Sequence, residues 1–283
     1  MQGNGIERSL EIAIALTSVF FVVEVMGGLI SGSLSLLGDA GHIFRDVFAL
    51  ALSLGAVKVA KKLPTKNKTF GYHRVEIFAA FVNAIILIGI SGWIFWKAYQ
   101  RLLLPKPIES TTMFVVAVMG LLVNLYVAFK LHGSQDLNIR SAFIHVVGDT
   151  ISSGSVIAAS VWIFFTGQII VDSILSVAIG IIILISAFVI LKDSVCILLE
   201  FTPKEVDFDK IVEELESIKG VENVYSVHMW SLCSNVHALD AHVLTSNRDL
   251  EELEKIKEII RGRLKKYNIK HVTLEFEYGK EES

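Results

Sequence analysis

Cysteine is almost absent. Cys196 and Cys233 are the only two among 283 residues, which excludes a disulfide framework or a CxxC site and fits a reduced compartment. A basic excess is missing too: 26 Lys and Arg stand against 29 Asp and Glu, for a formal net charge of −3. Global charge therefore gives no reason to expect nucleic acid as a partner. The chain has no HExxH motif, the helical zinc site of a metalloprotease with its general base alongside. It has no low-complexity segment and nothing recognisable as a kinase or DNA-binding output. The first apolar run lacks a small-residue cleavage site and leads straight into further runs, so no signal peptide is expected.

Apolar residues are plentiful. They make up 53% of the chain, and mean hydropathy is +0.58, values that suit a membrane protein with a modest soluble part. Six runs near 10–30, 34–57, 75–97, 111–130, 141–165 and 169–191 each approach the ~20 apolar residues that cross a bilayer. With the N-terminus inside, ten Lys and Arg of the short loops fall on the inner side and three (Lys97, Arg101, Lys106) on the outer. That bias predicts both termini in the cytoplasm.

Composition changes after Lys192, and most of the acidic residues follow it. We expect a six-span transmembrane domain over 1–192, a linker over 193–206 and a soluble domain over 207–283. "FDKIVEELESIKG" has helical periodicity and ends at Gly220, whereas "VENVYSVHMWSL" and "VHALDAHVLTS" read as strands around a turn near Ser234 and Asn235. A charged amphipathic helix over 247–267 and a last strand over 270–279 complete an αββαβ order. The expected fold is an α-helical membrane protein of six transmembrane helices with a C-terminal α+β, ferredoxin-like domain whose helices cover one sheet face.

The second and fifth runs carry ionisable residues where lipid makes them expensive. His42 and Asp46 are four apart, as are His145 and Asp149, and the two pairs lie 103 residues apart. On a helix, residues four apart share a face. The two spans run in opposite directions, so packing them side by side would gather two imidazoles and two carboxylates. Two nitrogens and two oxygens at about 2.0–2.2 Å make a tetrahedral Zn²⁺ site. Imidazole argues against Ca²⁺ and Mg²⁺, which take oxygen shells, and two carboxylates neutralise a divalent ion in a low dielectric. Polar helix glue is the bland alternative, but ionisable residues inside a bilayer are by default functional. Asp39 shares the face of Asp46 without a counterpart in the fifth run, where Ala142 stands. It is expected either to line an outer vestibule and relay protons or to make a structural hydrogen bond. Arg45 is expected to turn away and pair with Glu24. Asn83, Asn124 and Asp172 read as helix-packing groups.

These residues resemble the cation diffusion facilitator family, especially its zinc-transporting branch. The resemblance rests on "SLSLLGDAGHIFRDVFAL", "SAFIHVVGDTISSGSVI", "FGYHRVEIFAA" and "VHMWSLCSNVHALDAHV" and covers nearly the whole chain. It implies a homodimer that exports Zn²⁺ from the cytoplasm in exchange for H⁺, with His42, Asp46, His145 and Asp149 as transport ligands. Histidine at position 42 is associated in the family with zinc over cadmium or manganese. Arg45 departs from the pattern, where a small polar residue is usual. The loop between spans four and five is short and holds only His132, which resembles a prokaryotic member in a cytoplasmic membrane. Tyr72 beside His73 occupies the place where some relatives bind metal in the loop between spans two and three. The resemblance also carries metal ligation onto His228, His242 and Glu277 of the soluble domain, where Zn²⁺ could join two protomers.

A turn at Ser234 and Asn235 places His228 and His242 opposite each other or within one residue of it. His237 is close by, and His271, Glu275 and Glu277 share a face of the last strand. Trp230 and Val227 are expected in the core or a dimer contact. Neutral imidazole binds metal and protonated imidazole does not, so Zn²⁺ and protons compete, which suits antiport by alternating access. Competing expectations are export of Co²⁺, Ni²⁺, Fe²⁺, Mn²⁺ or Cd²⁺, and a membrane zinc sensor without transport. An enzyme is not expected, since four protein ligands leave no open position for catalytic water.

Overall fold

The computed structural model describes the backbone of residues 3–60, 65–131 and 137–279, and side chains over 15–48, 51, 65–129 and 146–279. Among the described residues the chain forms six long helices: α1 (Gly3–Ser31), α2 (Leu34–Ala60), α3 (His73–Leu103), α4 (Ser110–Leu131), α5 (Leu137–Thr166) and α6 (Ile170–Leu198). They coincide with the six apolar runs and overrun most of them. Four are long and apolar enough to cross a membrane by length and composition: α3, α6 and the segments Ser110–Phe129 and Val146–Thr166 of α4 and α5. The described apolar part of α1, Ala15–Ser31, is shorter, and the side chains of α2 are described only to residue 48 and at 51.

Close packing divides the chain into two units, one of 1–54 with 82–191, the other of 55–81 with 192–283. In the first, small residues let helices approach. A Cβ on Gly27 of α1 would lie 2.6 Å from Val116 of α4. On α2, Gly38 sits against Ile179 of α6, and Gly41 against Ile90 of α3 and Ile183 of α6. Leu36, Leu87, Met113, Val156, Ile163 and Ile183 form the interior of this unit.

The start of α2 is fixed by a buried latch. Gly32 turns the chain at φ +70°, and the Ser33 hydroxyl accepts from the Leu36 amide at 3.2 Å, an N-cap. Asp172, in the first turn of α6 and 0% exposed, accepts from the Ser33 and Ser35 hydroxyls, both at 2.6 Å. It also accepts from the Leu34 and Ser35 amides at 2.9 and 3.2 Å and pairs with Arg101 of α3 at 2.7 Å. Arg101 donates in addition to the Gly32 carbonyl at 2.6 Å. Asp172 thus packs α6 against α2 and α3, in line with its reading as a helix-packing group.

The second unit contains α7 (Phe208–Glu216), β1 (Asn223–Cys233), β2 (Val236–Leu244), α8 (Leu250–Leu264) and β3 (Ile269–Glu277), the αββαβ order read from the sequence. Asp207 and Asp249 cap α7 and α8 through the amides of Lys210 and Glu251. Glu251 and Glu252 begin α8 and Arg261 and Arg263 end it, matching the helix dipole at both ends. The sheet has the order β1-β2-β3. β1 and β2 form an antiparallel hairpin, while β2 and β3 run parallel with α8 as the crossover. Both helices bury their apolar stripe on one face: Ile211, Leu215, Ile256, Ile260 and Leu264 meet Val224, Met229, Leu239, Val243 and Ile269. Each such side chain contributes about 1.5–3 kcal/mol of transfer free energy. Val227 packs against this core. Trp230 packs instead with Ile77, Leu232 and Val236, at the start of α3.

Candidate metal transport site

Helix geometry alone puts His42 and Asp46 on one face of α2, and the structure adds Asp149 from α5. His42 Nδ1 lies 3.1 Å from Asp46 Oδ2 and 3.6 Å from Asp149 Oδ1. One ligand atom from each of the three residues falls within 4.8 Å of the others, the sole such cluster of three or more among the described residues. Tetrahedral bonds of about 2.0–2.2 Å separate ligand atoms by roughly 3.3–3.6 Å, so the His42 separations suit one ion. The three side chains are 19, 18 and 21% exposed, shielded yet reachable. His145 stands on α5 one turn before Asp149, but its side chain lies outside the described residues. So does the loop residue His132.

Arg45 does not turn away to Glu24. Its guanidinium points into the cluster, with Nε 3.0 Å and Nη2 2.9 Å from Asp46 Oδ1. Nη2 is also 3.0 Å from His42 Nε2, and Nη1 donates to the Ser186 hydroxyl of α6 at 3.0 Å. The reason is proximity: the imidazole one turn back, the adjacent carboxylate and Ser186 together satisfy the fork without crossing to α1. Glu24 is 0% exposed, and its carboxyl group neighbours that of Asp39 on α2. Asp39 is 6% exposed and accepts from the Ser152 hydroxyl of α5 at 2.7 Å. Asn124 donates to Ser153 at 3.3 Å, joining α4 to α5, and Asn83 is buried.

In the second unit, His242 Nδ1 and Glu277 Oε1 are 2.7 Å apart, and the Tyr225 hydroxyl donates to the other oxygen of Glu277. These hydrogen bonds, Tyr225 first, hold the Glu277 carboxyl below its ordinary range. Glu277 in turn raises the His242 imidazole. His228 does not sit within one residue of facing His242. Tyr225 faces His242, and His228 faces Asp240, because register shifts between Tyr225 and His228 and between Ser231 and Cys233 displace the pairing. Ser226, at φ +49°, lies in the first of these bulges. His228 and His242 are therefore diagonal neighbours, and His228 is exposed. Glu275 approaches His242 at 4.0 Å. His237 is buried, bonded to Ser231 at 2.9 Å, and burial pushes its imidazole below the ordinary value. His271 packs edge-on against Phe70, and His73 Nδ1 lies 3.6 Å from Cys233 Sγ. Tyr72 lies beneath Lys68 Nζ, 4.0 Å from its ring centroid.

The family models decide the affiliation. Residues 10–199 match the cation efflux transmembrane domain, and residues 203–278 match the cation efflux protein cytoplasmic domain. The chain belongs to the cation efflux family. It is therefore a multi-pass membrane transporter of metal cations and no enzyme. The metal cation efflux system protein CzcD of Cupriavidus metallidurans is 41% identical over 97% of this chain and 87% of its own length. Zinc transporter ZitB of Pectobacterium atrosepticum is 40% identical over 97% and 87%. The cadmium, cobalt and zinc/H(+)-K(+) antiporter of Bacillus subtilis is 36% identical over 96% and 89%. The solved metal-bound C-terminal domain of the CzcD transporter aligns with 25% of this chain and 99% of its own at 29% identity, with a TM-score of 0.23.

Four residues of this family member escaped the sequence reading: Tyr225, Ser152, Ser186 and Arg101. Ser152 and Ser186 are single hydroxyls in apolar helices, and no spacing marks them. Arg101 carried a signal, an arginine near the end of an apolar run, but it was counted only as loop charge. Tyr225 became a partner of Glu277 through the bulge.

Proposed function

We propose that the protein exports Zn²⁺ from the cytoplasm in exchange for H⁺, by alternating access at a site made of His42, Asp46, His145 and Asp149. The observation that carries this reading is the approach of His42, Asp46 and Asp149 across α2 and α5 to within 4.8 Å. Imidazole nitrogen with carboxylate oxygen is a zinc donor set, and two carboxylates balance the ion's charge inside a low dielectric. A site open to the cytoplasm binds Zn²⁺ on neutral imidazole; open to a more acidic outside, it takes protons and releases the ion. The likeness to a zinc transporter and to a cadmium, cobalt and zinc/H(+)-K(+) antiporter supports zinc and proton exchange. The Lys and Arg bias supports cytoplasmic termini, and the bacterial relatives support a cytoplasmic membrane.

The working unit in this reading is a homodimer. Residues 1–192 transport, 193–206 link, and 207–283 bind Zn²⁺ through His228, His242 and Glu277 and bias the conformation. The 2.7 Å approach of His242 to Glu277 supports two of these three ligands. The Bacillus relative's name also supports a second reading, in which Co²⁺ or Cd²⁺ is a cargo; Irving–Williams ordering gives no absolute selection.

The test uses sealed proteoliposomes with a zinc dye inside and an imposed pH gradient. Zinc flux that follows the gradient and disappears in Asp149→Ala is expected. Flux of Co²⁺ or Cd²⁺ alone would favour the second reading. Bound zinc without flux of any ion would leave a sensor and refute transport.

A further inference from the structure

Within the proposed transport site, we propose that Arg45 is a tethered competing cation: its guanidinium and the transported divalent ion are mutually exclusive occupants of the His42 and Asp46 ligands. The inference rests on the transport-site reading and concerns a residue that the donor set does not include.

The geometry is specific. Arg45 binds Asp46 through Oδ1, leaving Oδ2 toward His42 Nδ1. Its Nη2 lies 3.0 Å from His42 Nε2. Arginine has no acceptor atom, so this contact requires the guanidinium to donate and Nε2 to offer its lone pair. The imidazole then carries its proton on Nδ1, the nitrogen that faces Asp46 and Asp149 at 3.1 and 3.6 Å. That proton sits where a metal bond would form.

Metal binding overturns the arrangement at either nitrogen. An ion on Nε2 takes the lone pair that Arg45 uses. An ion on Nδ1 takes the other lone pair and moves the imidazole proton to Nε2, where an N–H would confront the Arg45 N–H groups. Donor against donor cannot persist at 3.0 Å, so the guanidinium has to withdraw. The Ser186 hydroxyl holds it in the seated position: it accepts from Nη1 at 3.0 Å and donates onward to the Ile182 carbonyl at 3.0 Å. Seated, the guanidinium also supplies positive charge to the Asp46 carboxylate, which lowers the cost of burying that anion. The ion therefore enters by exchange with a cation that belongs to the protein.

Equilibrium dialysis of the full-length protein in detergent against radioactive zinc tests this. The intramembrane binding class is defined as the part that Asp149→Ala removes. Arg45→Gln, which keeps much of the stem and loses the charge, is expected to tighten that class on the order of tenfold or more, since charge-assisted hydrogen bonds no longer have to be broken. Arg45→Lys keeps a charge without the fork and is expected to fall between. Added guanidinium ion is expected to weaken zinc binding in Arg45→Gln and to have little effect on the wild type. Should Arg45→Gln not fold, Arg45→Thr serves the same purpose. An Asp149-dependent class left unchanged or weakened by loss of the charge would overturn the role of Arg45 alone. Zinc binding that Asp149→Ala leaves intact would instead overturn the transport-site reading beneath it.

Discussion

Asp172→Ala should destabilise the first unit strongly although it touches none of the proposed metal ligands. Asp172 is 0% exposed and its partner Arg101 is 11% exposed. The substitution leaves a buried guanidinium with the Gly32 carbonyl at 2.6 Å as its remaining partner. Breaking a buried pair from one side costs about 3–5 kcal/mol. The Ser33 and Ser35 hydroxyls and the Leu34 and Ser35 amides lose an acceptor at the same time, at about 1–3 kcal/mol for each orphaned group that water cannot reach. Water entering at the helix ends takes over the freed hydroxyls and amides, so the cost of breaking the pair, about 4 kcal/mol, is the working figure. At roughly 2–4 °C per kcal/mol for a chain of this size, the melting temperature in detergent should fall by about 10 °C. Asp172→Asn keeps the shape and one acceptor and should fall by about half as much. The discriminating measurement is the double variant. Arg101→Ala removes the orphaned charge, so Asp172→Ala with Arg101→Ala should cost about 2 kcal/mol less than the two singles summed. Strict additivity, or a single-variant shift below ~2 °C, would refute the latch. Zinc flux should fall as well, because the latch caps the helix that carries His42 and Asp46.

Glu277→Gln should lower the titration midpoint of His242 toward the ordinary imidazole value of 6.5, followed by histidine NMR; an unmoved midpoint would sink the assignment of Glu277 as its main partner. The sign follows from both shifts. The His242 contribution is complete below pH 6.5 and is lost as pH rises through its raised folded value, while the Glu277 contribution is present above 4.5 and is lost as pH falls through its lowered one. The pair therefore supports the second unit most between these limits. Gly27→Val should cost about 1–3 kcal/mol or separate α1 from α4, because even a Cβ there would sit 2.6 Å from Val116; crosslinking of cysteines placed on the two helices reads the separation. Ile260→Ala should lower stability by about 2–5 kcal/mol, since Ile260 is 0% exposed between α8 and the sheet; loss of amide-exchange protection in β2 reports it.

What the sequence determined by itself is local. Apolar length marked the six long helices, and hydrophobic period separated α7 and α8 from the three strands, because each element's burial is written in its own residues. The spacing of His42 and Asp46 on α2, and of Asp149 after His145, is equally local: four residues on a helix share a face wherever the helix goes. Tertiary structure decided which way equivalent choices fell. Arg45 could reach α1 or its own helix, and the positions of His42, Asp46 and Ser186 drew it into the cluster. Asp172 and Arg101 are 71 residues apart in sequence, and only the meeting of α3 and α6 pairs them. The bulge around Ser226 shifted His228 off His242 and brought Tyr225 opposite, with no glycine to announce it, since register is a property of two strands and a turn rather than of either strand alone.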